Sequence, residues 1–129
     1  MTRIYVDVAT AVVGGADARS VEPDAPRTLR ILAESGHEIV LVTGAAGAPP
    51  SDLAAVASDA VGAVPARPVS PAWYLTADVE RCRGTSARLR TVLIGGSPAP
   101  GSVHRCDGVA RDLHAAVMEI LASEAMPTR

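Results

Sequence analysis

The chain has 129 residues, an apolar fraction of 48% and a formal net charge of −2, which suits one domain with an ordinary core. It has one Trp, two Tyr and no Phe, and its 12 basic residues are all Arg, scattered among 14 acidic ones. We expect no nucleic-acid partner, because stacking aromatics and a basic face are missing. We also expect no membrane partner, because no segment approaches the roughly 20 apolar residues of a span.

Cysteine and lysine usage restricts the chemistry further. Cys82 and Cys106 are too few and too far apart for a zinc site, and the N-terminus does not resemble a signal peptide. The cytoplasm is therefore the expected location. Lysine is absent, which excludes Schiff-base chemistry and a lysine phosphate clamp.

The first forty residues predict a strand, a loop, a helix and a second strand. Residues 3–6 are predicted to form a strand, and the segment 11–26, rich in Gly, Ala, Asp and Pro and without a period, is typical of a loop. Asp24 can cap the helix that follows, and Gly36 supplies its expected end before the apolar run 39–42. This order favours a parallel pair of strands.

The rest of the chain continues the alternation. The predicted elements are a short helix from Ser51 or Asp52 to Ala60, a brief strand near 62–64, a strand at 72–75, a weak helix at 79–84, a strand at 91–94, a short strand at 108–110 and a helix capped by Asp112. Apolar strands alternating with helices predict a mainly parallel sheet covered on both faces. The fold class is therefore α/β, a three-layer sandwich of Rossmann-like topology, with residues 1–129 as one domain.

Polar residues that follow the predicted strands are the candidates for chemistry, since open parallel sheets bind ligands beyond the carboxyl ends of their strands. Asp7 follows the first strand, and Thr43 with Gly44 follows the second, where a hydroxyl and backbone amides can hold an anion. Asp78 follows the strand at 72–75 and, with Asp7, would suit Mg²⁺. Each also has a structural alternative: a turn-capping Asp, a strand-ending Thr-Gly turn and a helix N-cap.

In these positions the sequence resembles the haloacid dehalogenase (HAD) superfamily over nearly the whole chain. The first motif of that family matches residues 4–10, IYVDVAT, with Asp7 at the nucleophile position and Ala9 where a second Asp usually stands. The second motif matches 40–44, VLVTG, and the fourth resembles 73–78, WYLTAD. The third motif requires a Lys, and the chain offers only Arg67, before Pro68, at a plausible position.

The resemblance implies a set of roles for these residues. In the family's phosphatases the first Asp attacks phosphorus, Mg²⁺ neutralises the phosphoryl oxygens, and the second Asp protonates the leaving oxygen and then activates water. The implied catalytic residue is Asp7, the implied phosphate-binding residues are Thr43, Gly44 and Arg67, and the implied metal-binding positions are Asp7, Ala9 and Asp78. Ala9 can do neither acid nor base work, so the second role is lost.

These departures lead to one prediction and two alternatives. The prediction is a degenerate HAD-like domain without a cap, able to bind Mg²⁺, with weak or absent phosphatase activity toward a phosphorylated small molecule or macromolecule. The first alternative is an active Mg²⁺-dependent phosphohydrolase in which Asp7 is the nucleophile and Arg67, Arg81 or Arg83 replaces the Lys. The second is a non-catalytic binding module that forms a homodimer through an uncovered sheet edge.

Overall fold

A computed structural model describes six segments of the chain. They are residues 2–8, 25–43, 51–65, 70–77, 89–95 and 107–125. Their strands are β1 (Arg3–Asp7), β2 (Glu38–Val42), β3 (Asp59–Val61), β4 (Ala72–Thr76), β5 (Leu89–Ile94) and β6 (Gly108–Ala110), and their helices are α1 (Ala25–Glu34), α2 (Ser51–Ala54) and α3 (Leu113–Ala125).

The six strands form one sheet in the order β3-β2-β1-β4-β5-β6, and every neighbouring pair is parallel. The predicted α/β class with a parallel, Rossmann-like sheet is therefore confirmed. None of the helices in the described segments is both long and apolar enough to cross a membrane.

The two faces of the sheet differ in what covers them. Alternate strand residues such as Ile4, Ile39 and Leu75 share the larger core with the buried side chains of α1, α2 and α3. A smaller cluster on the opposite face contains Tyr5 and Tyr74. The described helices thus lie against one face, and the helix predicted at residues 79–84, which would contribute to a third layer, lies outside the described segments.

The ends of the two longer helices follow the local sequence signals. At the end of α1, Gly36 has a φ of 92°, and the amides of Gly36 and His37 donate to the carbonyls of Ala33 and Leu32 at 3.1 and 3.2 Å. This is the Schellman pattern, which a glycine in the left-handed region permits. At the start of α3, Asp112 Oδ1 accepts a 2.7 Å hydrogen bond from the amide of Ala115, so the predicted cap is confirmed.

The prediction for the segment after α2 is wrong in its boundaries. The helix has one turn, Ser51–Ala54, rather than reaching Ala60, and β3 spans Asp59–Val61 rather than 62–64. The amide of Ser58 donates to the carbonyl of Ile39 at 2.8 Å, which starts the pairing of β3 with β2. Because a short Ala-rich helix is marginal in isolation, hydrogen bonds to the sheet prevail there over local helix propensity.

Candidate functional site

The centre of the sheet contains the point where the strand order reverses. The strands β1, β2 and β3 run outward to one side, whereas β4, β5 and β6 lie on the other side of β1. The switch point therefore lies between the carboxyl ends of β1 and β4, where sheets of this kind bind their ligands. Asp7 is the last residue of β1 and Thr76 is the last residue of β4.

A buried hydrogen bond joins these two residues. Val6 pairs with Leu75, so Thr76 is level with Asp7, and the alternation of side chains puts both on the face that carries Tyr5 and Tyr74. The Thr76 hydroxyl donates to Asp7 Oδ2 at 2.9 Å. Asp7 is 1% exposed and Thr76 is 0% exposed, so in this conformation the carboxylate is closed off from bulk solvent.

Thr43 lies at the same edge of the sheet but is hydrogen-bonded away from the switch point. Val42 pairs with Asp7 in the register of β1 and β2, and Thr43 is the next residue. Its amide and its hydroxyl both donate to the carbonyl of Val61, at 2.9 Å and 3.3 Å. To bind a phosphate at the switch point, the Thr43 hydroxyl would have to break its hydrogen bond to the Val61 carbonyl and rotate about χ1.

The remaining residues of the predicted site lie outside the described segments. They are Ala9, Gly44, Arg67 and Asp78. Conversely, the structure adds Thr76, which has no role in the site predicted from the sequence. Its only signal was a hydroxyl at the end of the apolar strand AWYLT, which gains meaning once β4 is known to lie beside β1.

The fit of a Mg²⁺ ion depends on the oxygen ligands at this edge. Mg²⁺ is usually held by one or two carboxylates, with waters and substrate phosphate completing its shell. At the switch point the described residues supply one carboxylate, Asp7, and they contain no group of three His, Cys, Asp or Glu side chains suited to a metal. Asp7 has the right chemistry for Mg²⁺, and the predicted Asp78 would have to supply a second carboxylate.

The opposite, amino-terminal edge of the sheet carries an exposed ion pair. Arg3 Nε lies 3.0 Å from Glu38 Oε2, with side-chain exposures of 53% and 36%. Hydrogen bonds with Tyr5 and with Glu38 raise the pKa of the Arg3 guanidinium above its ordinary value. Arg3 and Glu38 both line a cavity of about 320 Å³, together with Ser58 and Asp59 among others.

A second polar group at the amino edge joins α3 to the sheet. The indole Nε1 of Trp73 donates to Glu124 Oε1 at 3.1 Å, and the Arg90 guanidinium lies 5.2 Å from the centroid of the Trp73 ring. Partial burial acts to raise the pKa of Glu124, but hydrogen bonds from Thr2 and Trp73, with the charges of His37 and Arg90, outweigh it and lower that pKa.

The sheet order defines an α/β fold of Rossmann-like topology, which is consistent with a HAD-like fold. A solved structure with this fold is that of D,D-heptose 1,7-bisphosphate phosphatase from Burkholderia thailandensis, an enzyme of the HAD superfamily. The two chains are similar with a TM-score of 0.66 and 16% sequence identity, over 95% of this chain and 99% of that chain. The resemblance seen in the sequence is thus confirmed for the fold.

Comparisons of the sequence alone gave no match. The chain matches no protein-family model and no curated protein.

Proposed function

We propose that this chain is a degenerate HAD-like phosphatase domain, in which Asp7 keeps the position of the nucleophile and turnover of phosphate esters is weak or absent. One observation carries the proposal. The Asp7 carboxylate is buried at the end of β1 and hydrogen-bonded by Thr76, while Ala9 stands two residues later, where an acid/base carboxylate would be needed.

The chemistry of a phosphomonoesterase explains why Ala9 matters. In the first step an oxygen of Asp7 would bond to phosphorus as the bond from phosphorus to the leaving oxygen breaks, and that oxygen needs a proton. In the second step a water must lose a proton to attack the aspartyl phosphate. The methyl group of Ala9 can do neither, and general acid–base catalysis typically contributes about 10²–10⁴-fold.

Charge stabilisation is also reduced in this chain. A phosphoryl group in transfer requires cationic groups around its oxygens, and this is often the largest catalytic contribution. With no Lys in the sequence, that role would fall to an Arg, such as Arg67 at the position of the third motif. A Mg²⁺ ion held by Asp7 and Asp78 would neutralise part of the phosphoryl charge when bound.

Burial of the nucleophile supports the same conclusion. With Asp7 1% exposed, a phosphate ester reaches the carboxylate only after neighbouring groups move apart. We propose a phosphorylated small molecule or macromolecule as the ligand class. The cytoplasmic location and the homodimer stay predictions from the sequence.

Hydrolysis of 4-nitrophenyl phosphate with and without Mg²⁺, by the wild type and by Asp7→Asn, tests this proposal. We expect the wild-type rate to lie within a few-fold of the Asp7→Asn rate. A rapid, Mg²⁺-dependent reaction that Asp7→Asn abolishes would overturn the proposal.

That result would instead establish the second candidate function, an active Mg²⁺-dependent phosphohydrolase. The observation that favours it is the extent of the structural match: the solved phosphatase is covered over 99% of its chain, so a chain of this size and fold is large enough for a phosphatase. In that case Arg67, Arg81 or Arg83 would take the role of the Lys. Single replacements of these three residues by Ala would identify which one lowers the rate.

A further inference from the structure

We infer that Thr76 is a positioning residue for Asp7, whose hydroxyl sets the orientation in which the carboxylate meets a phosphoryl group. The inference rests on the proposed function, because it takes Asp7 to be at the nucleophile position. It adds to that function a second residue from a different strand.

The contact is built by the sheet rather than by a loop. Thr76 is in β4, which is paired on both sides, with β1 through Leu75 and Val6 and with β5 through Thr76 and Leu93. The backbone of β4 is therefore held on both edges up to Leu75, and Thr76 itself is paired with β5. Thr is also stiff about χ1, since it is β-branched, so the hydroxyl that donates to Asp7 Oδ2 at 2.9 Å is itself held in place.

Fixing one carboxylate oxygen fixes the other. The terminal torsion of an Asp side chain is broad and roughly two-fold, so an unrestrained carboxylate turns freely. The Thr76 donor on Oδ2 restrains the plane of the group and hence the direction of Oδ1, in addition to the other interactions of Asp7. Attack on phosphorus requires such alignment, and a misplacement of about 1 Å can cost about 10²-fold in rate.

Burial makes this donor hard to replace. Thr76 and Asp7 are 0% and 1% exposed, so bulk water does not readily supply a substitute hydrogen bond if the hydroxyl is removed. Thr76→Val removes the hydroxyl with little change in shape, Thr76→Ser keeps it, and Thr76→Cys replaces it with a weaker donor. A matched control is Thr91→Val in β5: Thr91 is also buried and pairs with Tyr74, two residues before Thr76.

The experiment measures the orientation of the Asp7 carboxylate directly. Crystal structures of the wild type and of the four variants give the terminal torsion of Asp7 and the direction of Oδ1. We expect one carboxylate orientation in the wild type, in Thr76→Ser and in Thr91→Val, and a rotated or split carboxylate in Thr76→Val. If Thr76→Val does not fold, Thr76→Cys, with a partly rotated carboxylate, takes its place. An unchanged carboxylate in the folded Val or Cys variant would overturn the inference.

A second readout separates this inference from the proposed function. Acetyl phosphate with Mg²⁺ is used to phosphorylate Asp7, and the rate is followed by intact-protein mass. We expect at least about a tenfold slower reaction in Thr76→Val, with recovery in Thr76→Ser. If the wild type accepts no phosphoryl group while Thr76→Val still rotates the Asp7 carboxylate, the proposed function fails and the positioning role of Thr76 stands.

Discussion

The two ends of strand β1 carry charged groups in opposite settings. At the amino end, Arg3 pairs with Glu38 at 3.0 Å while about half of the Arg3 side chain stays in water. At the carboxyl end, Asp7 is 1% exposed, and the hydroxyl of Thr76 hydrogen-bonds to it. One strand of five residues thus connects a solvated ion pair with a buried carboxylate.

The contrast supports the proposal that function is concentrated at the carboxyl edge of the sheet. An exposed ion pair is worth about 0–1 kcal/mol, because water and salt screen it. Burial of a carboxylate is costly unless hydrogen bonds compensate for the lost water. A fold that needed only stability would have an apolar residue at the end of a buried strand, so the carboxylate of Asp7 calls for a functional explanation.

The largest effect is expected from restoring the missing acid at the carboxyl edge. If the missing acid/base carboxylate at position 9 is the main defect of the site, Ala9→Asp raises Mg²⁺-dependent phosphatase activity by about 10²–10⁴-fold. The gain should be greater with an alkyl phosphate than with 4-nitrophenyl phosphate, because the poorer leaving group needs the proton more. Ala11→Asp, which adds the same charge outside the motif, is the control in a phosphate-release assay. A folded Ala9→Asp protein without any gain would show that the site has decayed beyond this residue.

The next effect concerns stability at the same edge. Thr76→Val leaves the buried Asp7 carboxylate without the hydroxyl that hydrogen-bonds to it, and such a loss costs about 1–3 kcal/mol. Urea unfolding at neutral pH measures the change in the free energy of unfolding. A loss below about 0.5 kcal/mol would mean that the Thr76 bond contributes little to the buried environment of Asp7.

A smaller, pH-dependent effect is expected at the amino edge. The pKa of Glu124 is lowered in the folded protein, so in the acid range the unfolded state binds more protons and stability rises with pH. The contribution is present above the ordinary carboxyl pKa and is lost as the pH falls through the lowered value. Urea midpoints should therefore separate wild type from Glu124→Gln at neutral pH and converge in acid. Trp73→Phe, which removes one donor to Glu124, should shrink this pH dependence, and an unchanged profile would contradict the assignment.

The smallest effect is expected from the exposed pair. Glu38→Gln should change the free energy of unfolding by about 0–1 kcal/mol, and added salt should reduce the difference. Urea unfolding at low and high ionic strength checks this. A loss as large as that of Thr76→Val would remove the energetic contrast between the two edges.

Local sequence signals were sufficient to predict the helix boundaries that a single residue sets. Gly36 marks the end of α1 because the left-handed φ there suits glycine, and Asp112 marks the start of α3 because its side chain caps the first turn. The position of Asp7 at the end of β1 followed from the apolar run before it. Such features depend on a few neighbouring residues, which the sequence displays directly.

Features that depend on strand pairing were not predictable in the same way. The start of β3 at Asp59 is set by its register against Val40, not by the composition of the segment. Thr76 likewise gains its role only because β4 lies beside β1 and brings its last residue level with Asp7. Residues 69 positions apart in the chain meet through topology, which no local pattern encodes.

The most direct test of the central claim is whether Asp7 accepts a phosphoryl group when no acid is needed. Acetyl phosphate has a leaving group that departs without protonation, so the oxygen of Asp7 can bond to phosphorus as acetate leaves. Peptide mass spectrometry after incubation with Mg²⁺ locates the product. The account predicts a phosphoryl group on Asp7 that persists, because Ala9 cannot activate water, and no product in Asp7→Asn. Absence of a phosphoryl group on Asp7, or its rapid release as phosphate by the wild type, would contradict the account.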